Sequence, residues 1–179
     1  MLARMLGAAR LNVATFEDVE SDKGATIQAM MVVVLVSIAI GIGGLVAGVN
    51  PIRDLVAGII YGLVSWALWA LGSFLVGTTI LKTPQTHADW GELARTTGFA
   101  QTPGLLRVLL FVPAIGPVIV FAAFIWQVVA MTIAIRQALD YEKTLRAFGV
   151  VVIVFLVVQV PLVIFWGLVI GFGGAAPSN

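Results

Sequence analysis

Four long stretches of this sequence contain no charged residue. They cover 29 residues between Lys23 and Arg53, 27 between Asp54 and Lys82, 28 between Arg107 and Arg136, and 33 after Arg146. A helix needs about 20 apolar residues to cross the hydrocarbon core of a bilayer, and it satisfies its own backbone hydrogen bonds while doing so. The sequence therefore predicts four transmembrane helices, near residues 26–48, 56–80, 116–136 and 147–170.

The composition supports the same class of protein. Of the 179 residues, 60% are hydrophobic and 11% are charged, whereas soluble domains carry roughly 25% charged residues. A chain this apolar cannot bury its apolar surface in one soluble core, so an all-α polytopic membrane protein is expected. The chain has no cysteine, which excludes disulfides, thiolate metal sites and cysteine nucleophiles.

A fifth, less apolar segment lies near residues 94–112. As an α-helix, its length would be about 28 Å, which is just enough to cross a bilayer. It contains Pro103, which is expected to kink it, and Arg107, and it is followed by the turn sequence Pro113-Ala-Ile-Gly-Pro117. An arginine at the membrane centre costs about 2.5–3.5 kcal/mol on insertion scales. Arg107 lies near one end, so we expect its side chain to reach the outer interface or a partner there.

The distribution of basic residues favours five crossings over four. With five crossings and a cytoplasmic N-terminus, eight basic residues lie on the inner side and two on the outer side; with four crossings the division is five to four. Basic residues concentrate on the cytoplasmic side of membrane proteins. The sequence thus predicts a bundle of five transmembrane helices with the C-terminus outside. The inner residues in this arrangement are Arg4, Arg10, Lys23, Lys82, Arg95, Arg136, Lys143 and Arg146, and the outer ones are Arg53 and Arg107.

This topology divides the chain into three parts. Residues 1–25 form a cytoplasmic N-terminal segment, residues 26–172 the transmembrane domain, and residues 173–179 an external tail. Apolar residues recur at helical spacing between Leu2 and Ala9, which is typical of a short helix in the membrane interface. The sequence Thr15-Phe-Glu-Asp18 predicts a capping box at the start of a second helix.

Three pairs of glycines are spaced four residues apart in the apolar runs. Such pairs lie on one helix face and allow two helices to approach closely in lipid. We expect this packing within the chain more than between chains. The pairs are Gly44 with Gly48, Gly58 with Gly62, and Gly167 with Gly171.

Two glutamines, Gln127 and Gln159, lie near the midpoints of the last two predicted spans. Burying an amide away from water is costly unless it is hydrogen-bonded. We therefore expect them to bond each other or a backbone carbonyl, and the functional alternative is a polar substrate or cofactor. Pro161 should kink the last helix and free a carbonyl that Gln159 could serve.

Neither a catalytic nor a metal site is predicted. His87, Asp89 and Glu92 share an inner loop, but no metal-binding motif accompanies them, and a solvated loop is the better interpretation. No acidic residue lies inside a predicted span, which argues against ion pumps and proton-coupled transporters. No residue pattern indicates a nucleophile with its base. We expect no enzymatic activity, no metal and no cofactor.

Three tryptophans, Trp66, Trp69 and Trp126, fall well inside the predicted spans. Tryptophan prefers the membrane interfaces, so an interfacial anchor does not explain these positions. Packing within the bundle or against lipid is favoured over contact with a pigment or quinone.

Several motifs together resemble one family of small integral membrane proteins. Arg95-x-x-Gly98-Phe-Ala100-x-x-Pro103 opens the third predicted span, and Pro113-Ala-Ile-Gly-Pro117 follows it. Ala134-Ile-Arg-Gln-Ala-Leu139 ends the fourth, and Thr15-Phe-Glu-Asp-Val19 precedes the first. These motifs are similar to those of the Yip family, whose eukaryotic members interact with Rab/Ypt GTPases, and most of all to those of its bacterial branch.

The resemblance implies five helices with a cytoplasmic N-terminus and an external C-terminus. It further implies a bacterial cytoplasmic (inner) membrane. Eukaryotic members act in vesicle traffic and membrane shaping and carry an Asp-Leu-Tyr-Gly-Pro motif before the first span. This chain lacks that motif, so the resemblance does not extend to Rab binding.

The function predicted from these features is that of a non-enzymatic scaffold or accessory subunit of a larger membrane assembly. The expected partners are the lipid bilayer and other membrane subunits or a second copy of the chain, without nucleic acid. One alternative is a lipid-interacting or membrane-shaping protein. Another is a small-molecule facilitator, whose polar path would use Gln101, Thr102, Arg107, Gln127, Thr132 and Gln159.

Overall fold

The computed structural model describes residues 1–44 and 51–174. Within these ranges the chain forms helices and turns, without a β-strand. The α-helices are α1 (Leu2–Ala9), α2 (Val13–Ser21), α3 (Ala25–Gly44), α4 (Pro51–Leu75), α5 (Trp90–Ala100), α6 (Gly116–Ala138), α7 (Thr144–Val154) and α8 (Val160–Gly174). Wider π-helical turns, Val76–Ile80 and Phe155–Gln159, extend α4 and join α7 to α8, and a 3₁₀ helix covers Thr102–Phe111.

Four helical segments are long and apolar enough to cross a membrane. They are Ala25–Ile42, Leu55–Ile80, Gly116–Ala138 and Thr144–Leu168. The four spans predicted from the charge-free runs are therefore confirmed to within a few residues over the part of the chain described. Residues 45–48, at the end of the first predicted span, lie outside the described residues.

The fifth predicted span is not one continuous α-helix. Helix α5 ends at Ala100, and the chain continues as the 3₁₀ helix from Thr102. Pro103 has no N–H to donate, and in a continued α-helix its ring would collide with the carbonyl of Phe99. The hydroxyl of Thr102 donates to that carbonyl instead, at 2.7 Å. The prediction of a single helix over residues 94–112 is thus corrected to two helices of different pitch.

The 3₁₀ helix and α5 lie at the centre of the fold because glycines let them approach α3. The 3₁₀ helix packs on α3 and α6, and α5 packs on α3, α4 and α6. A Cβ placed on Gly104 would lie 2.9 Å from Val36 Cγ1, and one placed on Gly98 would lie 2.8 Å from Ala29 Cβ. Both contacts are closer than any larger residue allows, and they bring Arg107 and Gln101 next to the transmembrane helices.

Helices α1 and α2 form a hairpin that folds back on the bundle, against α5 and α6. Phe16 and Val19 of α2 are fully buried there. Helix α2 begins at Val13, because the side chain of Asn12 accepts a hydrogen bond from the backbone N–H of Ala14 at 3.0 Å and caps the helix. The predicted start at Thr15 is therefore wrong, and the cap lies three residues earlier.

Candidate functional site

A partly open cavity of about 570 Å³ lies among α3, α4, α6, α7, α8 and the 3₁₀ helix. Most of its wall is aliphatic or aromatic. A small set of polar side chains also faces it, drawn from several elements that are distant in sequence. These are Ser37, Tyr61, Ser65, Gln101, Arg107, Gln127 and Gln159. A mostly apolar cavity with a few convergent polar groups is the usual form of a small-molecule site.

Arg107 points into this cavity. Its guanidinium donates from Nη2 to the side-chain oxygen of Gln127 at 2.8 Å, and the residue is half-buried. The sequence predicted that Arg107 reaches the outer interface or a partner there, and that stays a prediction; within the chain its partner is Gln127. After Pro103 the tighter winding of the 3₁₀ helix directs Arg107 toward α6. The close approach of Gly104 to Val36 keeps the 3₁₀ helix against the bundle.

Gln159 belongs to a second hydrogen-bonded group in the lining of the cavity. Its amide nitrogen donates to the hydroxyl of Tyr61 at 2.6 Å, and its oxygen accepts from Ser65 Oγ at 2.9 Å. The predicted bond between Gln127 and Gln159 is absent from the hydrogen bonds of the described residues, as is a bond from either side chain to a carbonyl. Gln159 closes the π-helical turn before Pro161. Such wide turns often occur at functional sites.

The remaining predicted site residues lie in different surroundings. Gly58 and Gly62 line the same cavity, and a Cβ on Gly62 would collide with Ser37 Oγ. Gly98 packs on Ala29. A Cβ on Gly167 would have no atom within 4 Å in the part of the chain that the structure describes. Gly44 and Gly171 belong to α3 and α8, and Gly48 lies outside the described residues.

Sequence reasoning missed Tyr61 and Ser65. They lie in a charge-free run where the apolar pattern dominates. The spacing of Tyr61 and Ser65, which is one helical turn, places both on one face and was the available signal. Trp69 lines the cavity, and its indole Nε1 is buried without a hydrogen-bond partner in the described part of the chain.

The other two tryptophans within the long apolar helices donate hydrogen bonds to backbone carbonyls. Trp66 is 5% exposed and donates to the carbonyl of Ala94 at 2.9 Å. Trp126 is exposed and donates to the carbonyl of Ala9 at 2.8 Å. The first bond ties α4 to α5, and the second ties α6 to the end of α1.

Arg95 holds the N-terminal hairpin on the bundle. It is 5% exposed, and its guanidinium donates to the carbonyls of Val19 and Glu20 at 2.6–3.3 Å. These carbonyls belong to the last turn of α2, where backbone acceptors have no partner within the helix. Arg95 therefore caps α2 from a neighbouring helix, a role that the sequence pattern did not reveal.

Acidic residues surround this junction. Burial, reinforced by the charges of Glu92 and Asp140, raises the pKa of Glu20 to about 7. Asp89 and Glu92 instead form a capping box at the start of α5, with bonds of 2.9 and 2.8 Å. The described residues contain no group of three acidic or histidine side chains placed to hold a metal.

The comparisons with known proteins agree with the helical architecture. The family model described as the Yip1 domain matches residues 12–171, which is most of the chain and includes all four long apolar helices. No curated protein and no solved structure matches the chain. With the match extending from α2 into α8, the chain belongs to the Yip1-domain family of membrane proteins.

Proposed function

We propose that this Yip1-domain protein is a non-enzymatic scaffold or accessory subunit that binds another membrane protein, or a second copy of itself, through α8. The observation that carries the proposal is the open face at Gly167, where a Cβ would meet no atom of the described residues within 4 Å. Gly171 follows one turn later in the same helix. In lipid, a small-residue face gains little unless another helix packs on it.

The surroundings of Gly167 support an intermolecular contact. Ile164, one turn before it, is 58% exposed and extends the same face. By contrast, Gly62 is covered by α3 within the chain. The α8 face thus has the composition of a helix-packing surface without an internal partner among the described residues.

The hydroxyl groups support a non-enzymatic role. Those of Thr78, Thr97 and Thr132 each donate to a backbone carbonyl four residues earlier in the chain. A hydroxyl used in this way serves the local backbone.

Replacing Gly167 with Leu should dissociate the complex, because the added side chain blocks a close contact with another helix. The fold should stay intact, because the same side chain occupies open space in the monomer. The measurement is the mass of the complex extracted in mild detergent, by light scattering after size exclusion. Gly58→Leu, also at an open glycine but facing the cavity, is the matched control and should leave the mass unchanged. An unchanged mass for Gly167→Leu would remove the basis of the proposal.

A second candidate is a lipid-interacting or membrane-shaping role for the N-terminal hairpin. Leu2 and Leu6 are 68% and 50% exposed and lie one turn apart on α1, and Arg10 is exposed at its end. Apolar and basic groups arranged in this way suit a surface of anionic lipid. If Gly167→Leu leaves the mass unchanged and removal of residues 1–14 abolishes the preference for anionic vesicles, this candidate replaces the first.

We also propose five crossings, with the N-terminus in the cytoplasm of a bacterial cell and the C-terminus outside. In support, α5 extends about 16 Å and the 3₁₀ helix about 20 Å, which together exceed the thickness of a hydrocarbon core. The division of basic residues is best with five crossings.

Cysteine labelling tests this topology directly, since the chain has no native cysteine. Ala114 and Gln85 are both exposed and lie at opposite ends of the α5–3₁₀ segment. A membrane-impermeant maleimide added outside intact cells should modify Ala114→Cys and spare Gln85→Cys. Modification of Gln85→Cys alone would reverse the orientation, and modification of both or neither would exclude the odd number of crossings between them.

A further inference from the structure

We propose that the cavity around Arg107 binds an amphipathic anion, that is, an alkyl chain carrying a phosphate or carboxylate group. This inference does not depend on the scaffold function or on the face of α8. It rests on the charge of the cavity, on its unused hydrogen-bond donors and on its apolar walls.

Among the described residues, Arg107 has no ionic partner, and its guanidinium bonds the uncharged amide of Gln127. A guanidinium has five N–H donors, and Arg107 uses one of them, toward Gln127. Both ion pairs among the described residues are formed by Arg4, at the N-terminal hairpin. A cation in apolar surroundings is costly unless an anion accompanies it, so the site favours a negatively charged ligand.

Two other donors in the cavity also lack an acceptor. The hydroxyl of Tyr61 accepts from Gln159 at 2.6 Å, which leaves its own proton available. The indole N–H of Trp69 is buried without a partner in the described part of the chain, and an indole can only donate. A phosphate or carboxylate would balance the guanidinium and supplies the acceptor oxygens that these donors require, whereas an uncharged head group would leave the guanidinium unbalanced.

The rest of the cavity suits an alkyl chain. Val36 and Ile40 line one side, and Met131, Phe148 and Phe155 line another. The volume of about 570 Å³ is in the range of ordinary ligand sites. The cavity is partly open, and its lining comes mostly from the long apolar helices. An amphiphile dissolved in the bilayer is therefore a suitable occupant.

Quenching of tryptophan fluorescence provides the test, because Trp66 and Trp69 both line the cavity. The full-length protein in neutral maltoside micelles is titrated with an alkyl phosphate whose alkyl group carries bromine. A brominated alkyl maltoside of equal chain length serves as the uncharged probe. Both probes quench the exposed tryptophans, such as Trp126, so we expect an additional saturable quenching with the phosphate. Equal quenching by both probes would overturn the proposal. Competition by inorganic phosphate at the same concentration would also overturn it, because the alkyl chain of the ligand would then contribute nothing to the affinity.

Two variants remove the anion site by different routes. Arg107→Gln deletes the charge, and Gln127→Glu supplies an internal carboxylate beside an intact guanidinium. Each should weaken alkyl phosphate binding roughly tenfold or more, which is about 1.4 kcal/mol. Lys143→Gln removes one charge from an exposed loop position and should bind as the unmodified chain does. Should Arg107→Gln fail to fold, Gln127→Glu decides alone, and undiminished binding in a folded Gln127→Glu protein would contradict the proposal.

Discussion

Replacing Arg95 with Gln should release the N-terminal hairpin from the bundle. The guanidinium is 5% exposed and holds the last turn of α2 through the carbonyls of Val19 and Glu20. Hydrogen bonds to a charged group contribute about 1.5–3 kcal/mol each. Because two carbonyls lose their donor together, we expect docking of the hairpin to weaken by roughly 3 kcal/mol.

Hydrogen exchange measures this release. Amides of residues 13–21 should exchange much faster in Arg95→Gln, while those of α3 and α6 keep their protection. Arg10→Gln is the matched control, since Arg10 is exposed at the end of α1 and its loss should leave the exchange unchanged. Arg95→Lys should recover the protection only in part, because one ammonium cannot reproduce the planar fork of an arginine. Full protection of residues 13–21 in Arg95→Gln would show that burial of Phe16 and Val19 is sufficient for docking.

Replacing Gly98 with Val should destabilise the whole bundle. A Cβ at this position would lie 2.8 Å from Ala29 Cβ and 3.3 Å from Ala29 Cα, and backbone atoms cannot move aside as a flexible side chain can. It would also press on Trp66 Nε1 at 3.1 Å, whose bond to Ala94 joins α4 to α5. Overpacking of this kind costs about 1–3 kcal/mol, and occasionally more.

The measurement is the fraction of SDS at which the protein unfolds from mixed micelles, together with the near-ultraviolet circular dichroism of the tryptophans. Gly98→Val should unfold at a lower fraction of SDS and lose part of the dichroism. Gly58→Val, where a Cβ meets nothing within 4 Å, adds the same side chain to α4 and should unfold close to the unmodified protein. Equal stability of the two variants would mean that α3 and α5 can separate at no cost.

The α5–3₁₀ segment shows which structural features could be predicted from the sequence and which could not. Its length and the division of basic residues indicated a helical crossing, and Pro103 indicated a kink within it. The change of pitch was not predictable, because a proline forbids one hydrogen bond but does not select the conformation that follows. That conformation depends on the contacts of Gly98 and Gly104 with α3, which join residues distant in sequence.

The polar residues of the cavity illustrate the same limit. Gln127 and Gln159 were recognisable as amides that need partners, because an unpaired amide in lipid is costly wherever it lies. Their partners, Arg107 for one and Tyr61 with Ser65 for the other, come from elements far along the chain. The partner of each amide depends on the rotation of every helix about its own axis.

The sequence by itself determined the long apolar helices, because the cost of placing a charge in lipid acts on each segment separately and shows as a charge-free run. Which helix faces pack together was visible only in the folded protein. Arg95 bonds the last turn of α2, Arg107 bonds Gln127, and α3 packs on the 3₁₀ helix. The physical reason is that lipid is as apolar as the interior of the bundle. The inner and outer faces of a transmembrane helix therefore carry similar residues, and the pattern of hydrophobicity does not tell them apart.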